Sequence, residues 1–253
     1  MIDLHCHVLP GIDDGPATIE GSLALARTAA AAGIETIVAT PHVSWEHRNN
    51  PTTIAAALER TRAALADADV QIKLRAGAEI ALTLAAEMEP AEVAALGLGG
   101  GRWLLMECPF TPSATGFDSA LIGLRNRGQR IVLAHPERCP AFHRDPHMLR
   151  MLVEAGMLSS LTAGSLVGRF GRTVQRFARK LAAEGLVHNV TSDAHDHLRR
   201  APGIASELQQ AGLGPLRAWL TEEVPAAILE DSEEIPPPPA QRPGRASSRW
   251  WRR

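Results

Sequence analysis

The chain has 253 residues, of which 45% are hydrophobic and 21% charged, and this composition predicts one globular domain with a substantial core. The formal net charge is −2, but residues 235–253 contain five arginines and no acid, which leaves −7 for the preceding part. A net-negative body argues against nucleic-acid binding through a basic face. The chain starts without a signal-peptide pattern and contains no stretch of ~18 apolar residues, so we expect a cytoplasmic protein.

Strand and helix patterns alternate along the first 230 residues or so. Apolar segments predict strands around residues 2–7, 34–39, 70–74, 103–106, 131–134, 158–161 and 186–190. Helical patterns follow over residues 18–32, 51–65, 90–96, 118–127, 145–156 and 170–184, with short helices near 203–211 and 215–229. Thr18 and Asn50 are the predicted N-caps of the first two helices. This alternation predicts a β/α barrel.

Residues that can bind metal ions follow six of the seven predicted strands, and the exception is the sixth strand, near Thr162. Because the loops after the strands of a β/α barrel meet at one rim, side chains far apart in the sequence are expected to share one pocket. The sequence therefore predicts a multinuclear metal site. Its nine candidate ligands are His5, His7, Asp14, His42, Glu79, Glu107, His135, Asp193 and His195.

The first strand ends in a His-x-His pair, His5 and His7. Two residues of a strand span about 6.5–7 Å and place both imidazoles on one face, where they can reach one cation. Such a pair is a weak signal by itself, and its weight comes from the other strand ends. The remaining five histidines do not clearly end a strand, and we interpret them as surface or loop residues, with His47 and His197 as the most plausible exceptions.

The three cysteines, Cys6, Cys108 and Cys139, each follow or precede a candidate site residue. They form no CxxC pair and their number is odd, so a disulfide framework is not expected. Successive residues of a strand point to opposite faces, which directs Cys6 away from His5 and His7. We interpret the cysteines as small buried hydrophobic residues, and the alternative is ligation of a metal by a thiolate.

The composition changes near residue 233, which divides the chain into a barrel domain over residues 1–232 and a tail over residues 233–253. The tail contains four consecutive prolines at 236–239 and then a segment rich in arginine and tryptophan. Such a segment cannot bury a core, and we expect it to be disordered. Tryptophan together with arginine also suits a weak contact with an anionic membrane surface.

Five motifs carry a resemblance to a known family. They are MIDLHCHVLPGIDDG at residues 1–15, TPH at 40–42, GAE at 77–79, HPER at 135–138 and SDAH at 192–195. Together they resemble the PHP (polymerase and histidinol phosphatase) superfamily, and within it the bacterial protein-tyrosine phosphatases associated with capsule and exopolysaccharide synthesis. The resemblance extends from residue 1 to about residue 230, and the opening motif is highly specific to this branch.

The resemblance implies a distorted TIM-like (β/α)7 barrel in a single domain, with three divalent metal ions. The implied ligand sets are His5, His7, Glu79 and Asp193 for one ion, Glu79, Glu107 and His135 for a second, and Asp14, His42 and His195 for a third. Manganese is expected first, and iron, zinc or cobalt could occupy the same nitrogen and oxygen donors. Arg138 and Arg200 match the positions that hold the substrate phosphate in the family.

The activity implied by the resemblance is hydrolysis of phosphotyrosine in proteins, by attack of a metal-bound hydroxide on phosphorus while the two arginines clamp the phosphoryl oxygens. The implied partner is a membrane-associated tyrosine kinase of exopolysaccharide or capsule synthesis. No cysteine nucleophile is required, and the Cys-x5-Arg loop of thiol phosphatases is absent from the sequence. The metal identity, the physiological substrate and the oligomeric state are left open.

The chain departs from the family pattern at several positions. Thr162 stands where family members usually have asparagine, Cys139 replaces an aromatic residue after the HPER motif, and the chain contains no tyrosine. The loop over residues 43–48 also differs. Since loops determine substrate choice on this fold, these departures bear on whether phosphotyrosine is the substrate more than on whether the chain hydrolyses phosphate esters. Two alternatives follow, a phosphatase of small phosphomonoesters such as histidinol phosphate or a nucleotide, and a metal-binding regulatory scaffold without turnover.

Overall fold

The computed structural model describes residues 1–111 and 116–239 of the chain. In this part of the molecule the strands are short, parallel and largely buried, and most of them lead into a helix. The apolar side chains of strands and helices form one continuous core. This arrangement is the one expected when helices cover a parallel sheet.

The strand segments within the described residues run in parallel to their neighbours. They are β1 (Ile2–Cys6), β2 (Thr36–Ala39), β3 (His42–Val43), β4 (Lys73–Ala76), β5 (Glu79–Ala81), β6 (Trp103–Glu107), β7 (Arg130–Ala134), β8 (Leu158–Thr162) and β9 (Asn189–Thr191). One sheet has the order β1-β2-β4, and the other has the order β3-β5-β6-β7-β8-β9.

The second and third predicted strands each continue, after an interruption, in a short further segment: β3 follows β2, and β5 follows β4. Pro41 lies in the first interruption and lacks the N–H that a continuous ladder needs. Gly77 lies in the second, and a Cβ there would be 2.7 Å from the Cγ1 of Val38, so this close approach to β2 requires glycine. Both β3 and β5 lie beyond the predicted strand ranges, 34–39 and 70–74, which the sequence patterns ended too early.

The pairing register shows that the two sheets are continuous. Ala39 of β2 is opposite Ala76 of β4. Three residues further along each of these two segments, His42 of β3 is opposite Glu79 of β5. The same offset is therefore kept across both interruptions. The nine segments correspond to the seven predicted strands, arranged in the order of the sequence.

The first and last strands meet at their carboxyl ends. The N–H of Asp193 donates to the carbonyl of His5 at 2.9 Å, and the N–H of His7 donates to the carbonyl of Ala194 at 2.9 Å. Cys6 and Ala194 form an isolated parallel bridge. The seven strands thus form a distorted barrel whose first and last members meet through a bridge rather than a full ladder, in agreement with the predicted fold class.

The helices of the described residues are α1 (Ile19–Ala31), α2 (Pro51–Asp67), α3 (Leu82–Ala85), α4 (Pro90–Ala94), α5 (Phe117–Asn126), α6 (Pro140–Arg144), α7 (Pro146–Glu154), α8 (Ala163–Leu166), α9 (Arg172–Ala183), α10 (Ala205–Gln210) and α11 (Val224–Leu229). Short 3-10 turns occur at Leu98–Gly100, Pro136–Arg138 and Gly214–Leu216, and a π-helical turn at Trp219–Glu223 precedes α11. Within residues 1–111 and 116–239, no helix has both the length and the apolar character that crossing a membrane requires.

Side chains cap the first two helices, as the sequence predicts. The hydroxyl of Thr18 accepts a hydrogen bond from the N–H of Gly21 at the start of α1. Asn50 begins α2, and its side-chain oxygen accepts from the N–H groups of Thr52 and Thr53 at 3.0 Å. These bonds satisfy donors that have no partner within the helix.

The third and seventh strands begin later than predicted. The pattern places a strand from Val70, but the N–H of Val70 donates to the carbonyl of Leu65 at 2.9 Å and closes the end of α2. Leu186 closes α9 in the same way by donating to Leu181 at 3.0 Å. In both places an apolar residue packs against the end of a helix, and periodicity alone does not separate this from the start of a strand.

The predicted tail starts at residue 233, and the structure describes it as far as Pro239. The indole N–H of Trp219 donates to the carbonyl of Pro236 at 2.8 Å, and the carboxylate of Glu233 lies 3.8 Å from the guanidinium of Arg130. These residues lie at the end of the barrel where β8 and β9 begin. Residues 240–253 of the predicted tail lie outside the described residues, and the domain boundary remains a prediction.

Candidate metal centre

The nine candidate ligands lie at or just beyond the carboxyl ends of strands, around one end of the barrel. Six of them are buried, namely His5, His7, Glu79, His135, Asp193 and His195. His42 and Glu107 are half-buried, and Asp14 is exposed in the loop after β1. The structure therefore brings together side chains that are up to 190 residues apart in the sequence, between His5 and His195.

Glu79 lies at the centre of this group. Its Oε2 is 3.1 Å from the Nε2 of His5, 3.4 Å from the Nε2 of His7 and 3.2 Å from the Nδ1 of His42. Its Oε1 is 2.7 Å from the Nε2 of His135. One buried carboxylate thus contacts four of the five candidate imidazoles, which is the position expected for a ligand shared between two cations.

The candidate ligands include three groups, and within each group the ligand atoms all lie within 4.8 Å of one another. The groups are His7, Asp14, His42 and His195, then His5, His7 and Asp193, then His42, Glu79 and Glu107. The first group contains the complete set that the resemblance implies for the third ion, and the second contains three of the four residues implied for the first. The third group contains Glu79 and Glu107, which the resemblance implies for the second ion, but it includes His42 in place of His135. His135 contacts the other carboxylate oxygen of Glu79, Oε1.

Two candidate ligands have a left-handed backbone conformation. His135 has φ 32° and Asp193 has φ 51°, and they are two of the four non-glycine residues with positive φ in the described parts of the chain. Such a conformation costs on the order of 1–3 kcal/mol unless the surrounding structure imposes it. His135 directly follows β7, and Asp193 follows β9 after one residue, so both strained residues lie where the chain enters the centre.

The electrostatics of the centre favour positive charge. Burial alone would lower the pKa of His7, but its hydrogen bond with Asp13 and the nearby carboxylate of Glu79 outweigh burial and raise the pKa to about 10. Burial, together with the charge of Glu79, raises the pKa of Glu107 to about 7. The carboxylates that favour a proton on His7 and repel one another would equally favour a bound cation.

The donor atoms fit divalent metal ions. The Oε2 of Glu79 is buried beside three imidazoles yet has no hydrogen-bond partner among the described residues. The Nε2 atoms of His5 and His7 face each other at 3.1 Å. Buried carboxylate and imidazole atoms placed in this way are costly without a cation, and this donor set suits manganese, iron or zinc.

Arg138 and Arg200, the predicted phosphate-binding residues, are both attached to Asp193. The guanidinium of Arg138 donates to the Oδ2 of Asp193 at 2.8 Å, and the guanidinium of Arg200 forms an ion pair with the same oxygen at 2.8 Å. The Oδ1 of the same carboxylate is 3.6 Å from the Nε2 atoms of His5 and His7. Asp193 therefore lies between the two arginines and the imidazole cluster, and both arginines stand at the edge of the centre.

Asp13 is a site residue that the sequence analysis did not single out. Its carboxylate accepts from the Nδ1–H of His7 at 2.8 Å, from the N–H of His42 at 3.1 Å and from the N–H of Gly15 at 3.0 Å. The bond to Nδ1 leaves the Nε2 of His7 directed toward the centre. The sequence shows two adjacent acids, Asp13 and Asp14, and this pair was the signal that could have drawn attention to Asp13. Spacing alone could not show which of the two acids is the ligand and which supports His7.

Glu137 is a second residue that sequence reasoning missed. It is fully buried, and its Oε1 accepts from the N–H of Thr162 at 3.1 Å and from the hydroxyl of Ser165 at 2.6 Å. The turn that carries His135 and Arg138 is thereby attached to the end of β8. Thr162 contributes its backbone N–H to this contact.

Asp3 and Ser192 fix the contact between the first and last strands. The carboxylate of Asp3 accepts from the N–H of Ser192 at 3.0 Å and from its hydroxyl at 2.5 Å. Burial raises the pKa of Asp3 to about 6, against the effect of these hydrogen bonds. The two residues are 189 positions apart, so no local pattern could have indicated the pair.

The remaining candidates lie outside the cluster or at its edge. All three cysteines are buried and free, as the sequence predicts. The ring of His47 stacks on that of His42 with centroids 5.7 Å apart, so His47 lies at the edge of the centre. His197 is exposed.

A distorted parallel barrel with imidazoles and carboxylates at the carboxyl ends of its strands is the arrangement of metal-dependent hydrolases. The family model for capsular polysaccharide synthesis, CpsB/CapC, matches residues 1–211. The chain belongs to this family, which confirms the resemblance drawn from the motifs.

Known relatives agree with this assignment. Tyrosine-protein phosphatase YwqE of Bacillus subtilis is 32% identical over 252 residues, which cover 96% of this chain and 97% of YwqE. Tyrosine-protein phosphatase CpsB of Streptococcus pneumoniae is 29% identical over 210 residues, 80% of this chain and 86% of CpsB. A solved structure from work on YwqE and CpsB, described as unique metal-dependent tyrosine phosphatases, superposes with a TM-score of 0.81 at 31% identity, covering 94% of this chain and 99% of that one.

Proposed function

We propose that this chain is a metal-dependent phosphatase that hydrolyses phosphotyrosine in proteins. The observation that carries the proposal is the gathering of imidazoles and carboxylates beside Arg138 and Arg200 in a chain of the CpsB/CapC family. The first set of side chains suits divalent cations, and two guanidinium groups suit the oxygens of a phosphoryl group. The activities named for the relatives support phosphotyrosine as the substrate.

Three divalent ions, with manganese first, are the proposed cofactors, and iron, zinc or cobalt would suit the same donors. The proposed sets are His5, His7, Glu79 and Asp193, then Glu79, Glu107 and His135, then Asp14, His42 and His195. The contacts of Glu79 with four imidazoles support its role as a shared ligand. When bound, such ions lower the pKa of nearby water and offset the charge of phosphoryl oxygens.

Arg138 and Arg200 are the proposed phosphate-binding residues. Their side chains are 19% and 32% exposed, so both can be reached from solvent. Asp193 holds the two guanidinium groups next to the centre before the substrate arrives, which limits the entropy lost on binding. Their hydrogen bonds strengthen as negative charge accumulates on the phosphoryl oxygens, so the arginines act on the transition state more than on the bound substrate.

The cysteines have no part in the proposed reaction. Cys6, Cys108 and Cys139 are each 0% exposed. Burial raises the pKa of the Cys6 and Cys108 thiols well above the usual value, which keeps them protonated. The hydrogen bond with Cys108 lowers the pKa of Cys139 to about 7, but this thiol is buried as well. A thiol without access to solvent is a poor nucleophile toward a substrate at the rim.

A membrane-associated tyrosine kinase of capsule or exopolysaccharide synthesis is the proposed physiological substrate, met on the cytoplasmic side. The description of the family as one of capsular polysaccharide synthesis supports this choice. The segment over residues 240–253, with its arginines and tryptophans, would suit a weak contact with the anionic membrane that surrounds such a kinase.

The test is an assay of p-nitrophenyl phosphate and a phosphotyrosine peptide, with the metal content determined on the same sample. Both substrates should be hydrolysed, activity should disappear with a chelator and return with Mn²⁺, and alkylation of thiols should leave it unchanged. A preference for histidinol phosphate over the peptide would favour the small-substrate alternative. Bound metal without hydrolysis of any aryl phosphate would favour the regulatory scaffold.

The number of ions is tested by Glu79→Ala. Because Glu79 is proposed to bind two ions, its loss should abolish turnover and lower the metal content by more than one ion per chain. Glu92→Ala, which changes an exposed glutamate of α4, is the matched control and should retain both. A Glu79→Ala protein with the rate and metal content of the wild type would disprove the three-ion arrangement.

A further inference from the structure

We infer that Trp45 and Phe110 form a subsite for the aromatic ring of the substrate, next to the site proposed for its phosphate. The inference rests on the proposed function and names the part of the molecule that would distinguish phosphotyrosine from alkyl phosphates. It is carried by the exposure of the two side chains, by their position at the metal centre and by the hydrogen bonds that hold the Trp45 loop.

Trp45 and Phe110 are unusually exposed for large apolar side chains. Trp45 is 50% and Phe110 48% exposed, while most large apolar side chains of the described residues are buried. The two lie together in the wall of one open cavity of about 430 Å³. Exposed aromatic area gathered at a concave site indicates a binding surface, because leaving it in water is unfavourable.

The cavity opens directly onto the candidate metal centre. Its wall includes the candidate ligands Asp14, His42 and Glu107 in addition to the two aromatic residues. In the proposed arrangement, a substrate whose phosphate enters the centre places the group attached to that phosphate in this cavity.

Phe110 also contacts one candidate metal ligand and one of the two arginines proposed to hold the phosphate. Its ring stacks on that of His135, with centroids 5.4 Å apart and an interplanar angle of 21°. The guanidinium carbon of Arg138 is 5.0 Å from the centre of the Phe110 ring and 4.5 Å from that of Phe170. In phosphotyrosine a single oxygen joins the ring to phosphorus, so a phosphate held by Arg138 brings the ring to Phe110.

Trp45 is held in place by its own loop. The N–H of Ser44 donates to the carbonyl of His47 at 2.9 Å, and the N–H of His47 donates to the hydroxyl of Ser44 at 3.1 Å. The guanidinium carbon of Arg48 lies 4.6 Å from the centre of the Trp45 ring. The side-chain amide of Asn49 donates to the carbonyl of His42 at 2.9 Å and attaches the loop to the centre. A loop ordered in advance loses little entropy when a ring binds.

Contact of a phenyl ring with both aromatic side chains should favour it over a methyl group by about tenfold or more.

The experiment measures binding by isothermal titration calorimetry, using the full chain loaded with Mn²⁺ and two probes that cannot be hydrolysed. The probes are phenylphosphonate and methylphosphonate, which share the phosphonate group and differ in the ring. The wild type should bind phenylphosphonate at least tenfold more tightly. Trp45→Ala and Phe110→Ala should each reduce this ratio several-fold, mainly by weakening phenylphosphonate binding, and Trp45→Phe should restore part of it.

Two controls separate the subsite from general damage. Met151→Ala removes a side chain that is 55% exposed on α7 and should leave the ratio unchanged. Metal content is measured for every variant, because Phe110 stacks on a candidate ligand. If Phe110→Ala loses metal, Trp45→Ala decides the outcome, since Trp45 is not itself a candidate ligand.

A wild type that binds both probes equally, or a metal-loaded Trp45→Ala protein that keeps the full preference for phenylphosphonate, would overturn the inference. Because binding is measured without turnover, the experiment distinguishes a failure of the aromatic subsite from a failure of the proposed function. Tight, ring-dependent binding without hydrolysis of phosphotyrosine peptide would reject the proposed function alone. Hydrolysis of the peptide without a preference for the phenyl probe would reject the subsite alone.

Discussion

Among single residues, Asp193 connects the two halves of the candidate site. One of its carboxylate oxygens faces the imidazoles of His5 and His7, and the other pairs with Arg138 and Arg200. The charges of His5 and Arg200 outweigh burial and hold the pKa of this carboxyl well below its usual range. A change at either arginine therefore removes a partner of a buried carboxylate as well as a donor to the substrate.

Arg138→Ala should lower kcat/KM for an aryl phosphate by on the order of 10²-fold, about 3 kcal/mol of transition-state stabilisation. Metal content should stay unchanged, because Arg138 binds the phosphate and not an ion. Arg138→Lys should recover only part of the activity, since a point charge cannot reproduce a bidentate pair. Steady-state kinetics and metal analysis provide the measurement, with the exposed neighbour of the second arginine, Arg199→Ala, as control. A kcat/KM within a few-fold of the wild type at full metal loading would show that the assignment is wrong.

Asp13→Asn should weaken metal binding without unfolding the chain. The aspartate holds the Nδ1–H of His7 and the backbone of His42, and loss of such a partner typically lowers metal affinity by about 10–100-fold. Titration of the metal-free protein with Mn²⁺ gives the affinity, and circular dichroism shows whether the fold is kept. Asp67→Asn, at an exposed position in α2, should bind the metal as the wild type does. Unchanged affinity in Asp13→Asn would mean that His7 is oriented by other contacts.

Among the secondary-structure elements, the interruptions of two strands matter most for the site. β3 and β5 are short segments that follow the interruptions, and their register sets His42 directly opposite Glu79. Neighbouring parallel strands are about 4.8 Å apart, so this pairing alone brings an imidazole and the central carboxylate within reach of one ion. The break at Pro41 leaves this pairing intact while it ends the hydrogen bonding of β2.

Asn50→Ala should destabilise the protein by about 1 kcal/mol, because the N–H groups of Thr52 and Thr53 lose their acceptor. Urea denaturation of the two proteins measures this difference. Thr52→Ala, an exposed change in the same turn that leaves the cap intact, should shift the midpoint far less. Equal effects of the two substitutions would mean that the side-chain cap adds nothing to the free energy of unfolding beyond the effect of an ordinary substitution in the first helical turn.

In the molecule as a whole, the end of the barrel opposite the metal centre contributes to stability rather than to chemistry. His188 lies there, and its Nδ1 accepts from the N–H of Ser159 at 3.1 Å. Burial lowers the pKa of His188 from 6.5 to about 4. Between these pH values the unfolded chain binds a proton that the folded chain does not, so folding becomes less favourable as the pH falls.

The free energy of unfolding should therefore lose a contribution from His188 as the pH falls from about 6.5 to 4, at most about 3 kcal/mol. His188→Gln can still accept from Ser159 but does not titrate, so the difference between variant and wild type isolates this contribution from other groups. Urea denaturation at several pH values gives both curves. Parallel curves between pH 4 and 6.5 would show that His188 titrates normally in the folded protein.

Truncation separates the two parts of the tail. Removal of residues 240–253 should leave both stability and hydrolysis of aryl phosphates unchanged. Removal of residues 235–253 should keep the activity but lower stability by about 1–2 kcal/mol, because Ile235 loses its packing and Trp219 loses the carbonyl of Pro236. Thermal melts and the p-nitrophenyl phosphate assay test both. Loss of activity in the longer truncation at full metal loading would mean that the tail acts on the centre.

Sequence patterns alone were enough to predict the alternation of strands and helices, the caps at Thr18 and Asn50, and most of the residues placed at strand ends. These features depend on local chemistry, because apolar periodicity, capping side chains and turn formers act over a few residues. Because the strand ends of a β/α barrel meet at one rim, six of them could be assigned to one site without any knowledge of distances. Periodicity placed strand starts too early where an apolar residue such as Val70 closes a helix, and it missed the short helices α3, α6 and α8.

The side chains that support the candidate ligands could be identified only from the folded arrangement of the chain. Asp13 could not be separated from Asp14 by spacing, Glu137 is attached to β8 through Thr162, and Asp3 meets Ser192 from the far end of the chain. The same holds for the exposed positions of Trp45 and Phe110 at the rim. Contacts of this kind depend on how distant segments pack, and a sequence records the side chains that can bond but not the distances between them.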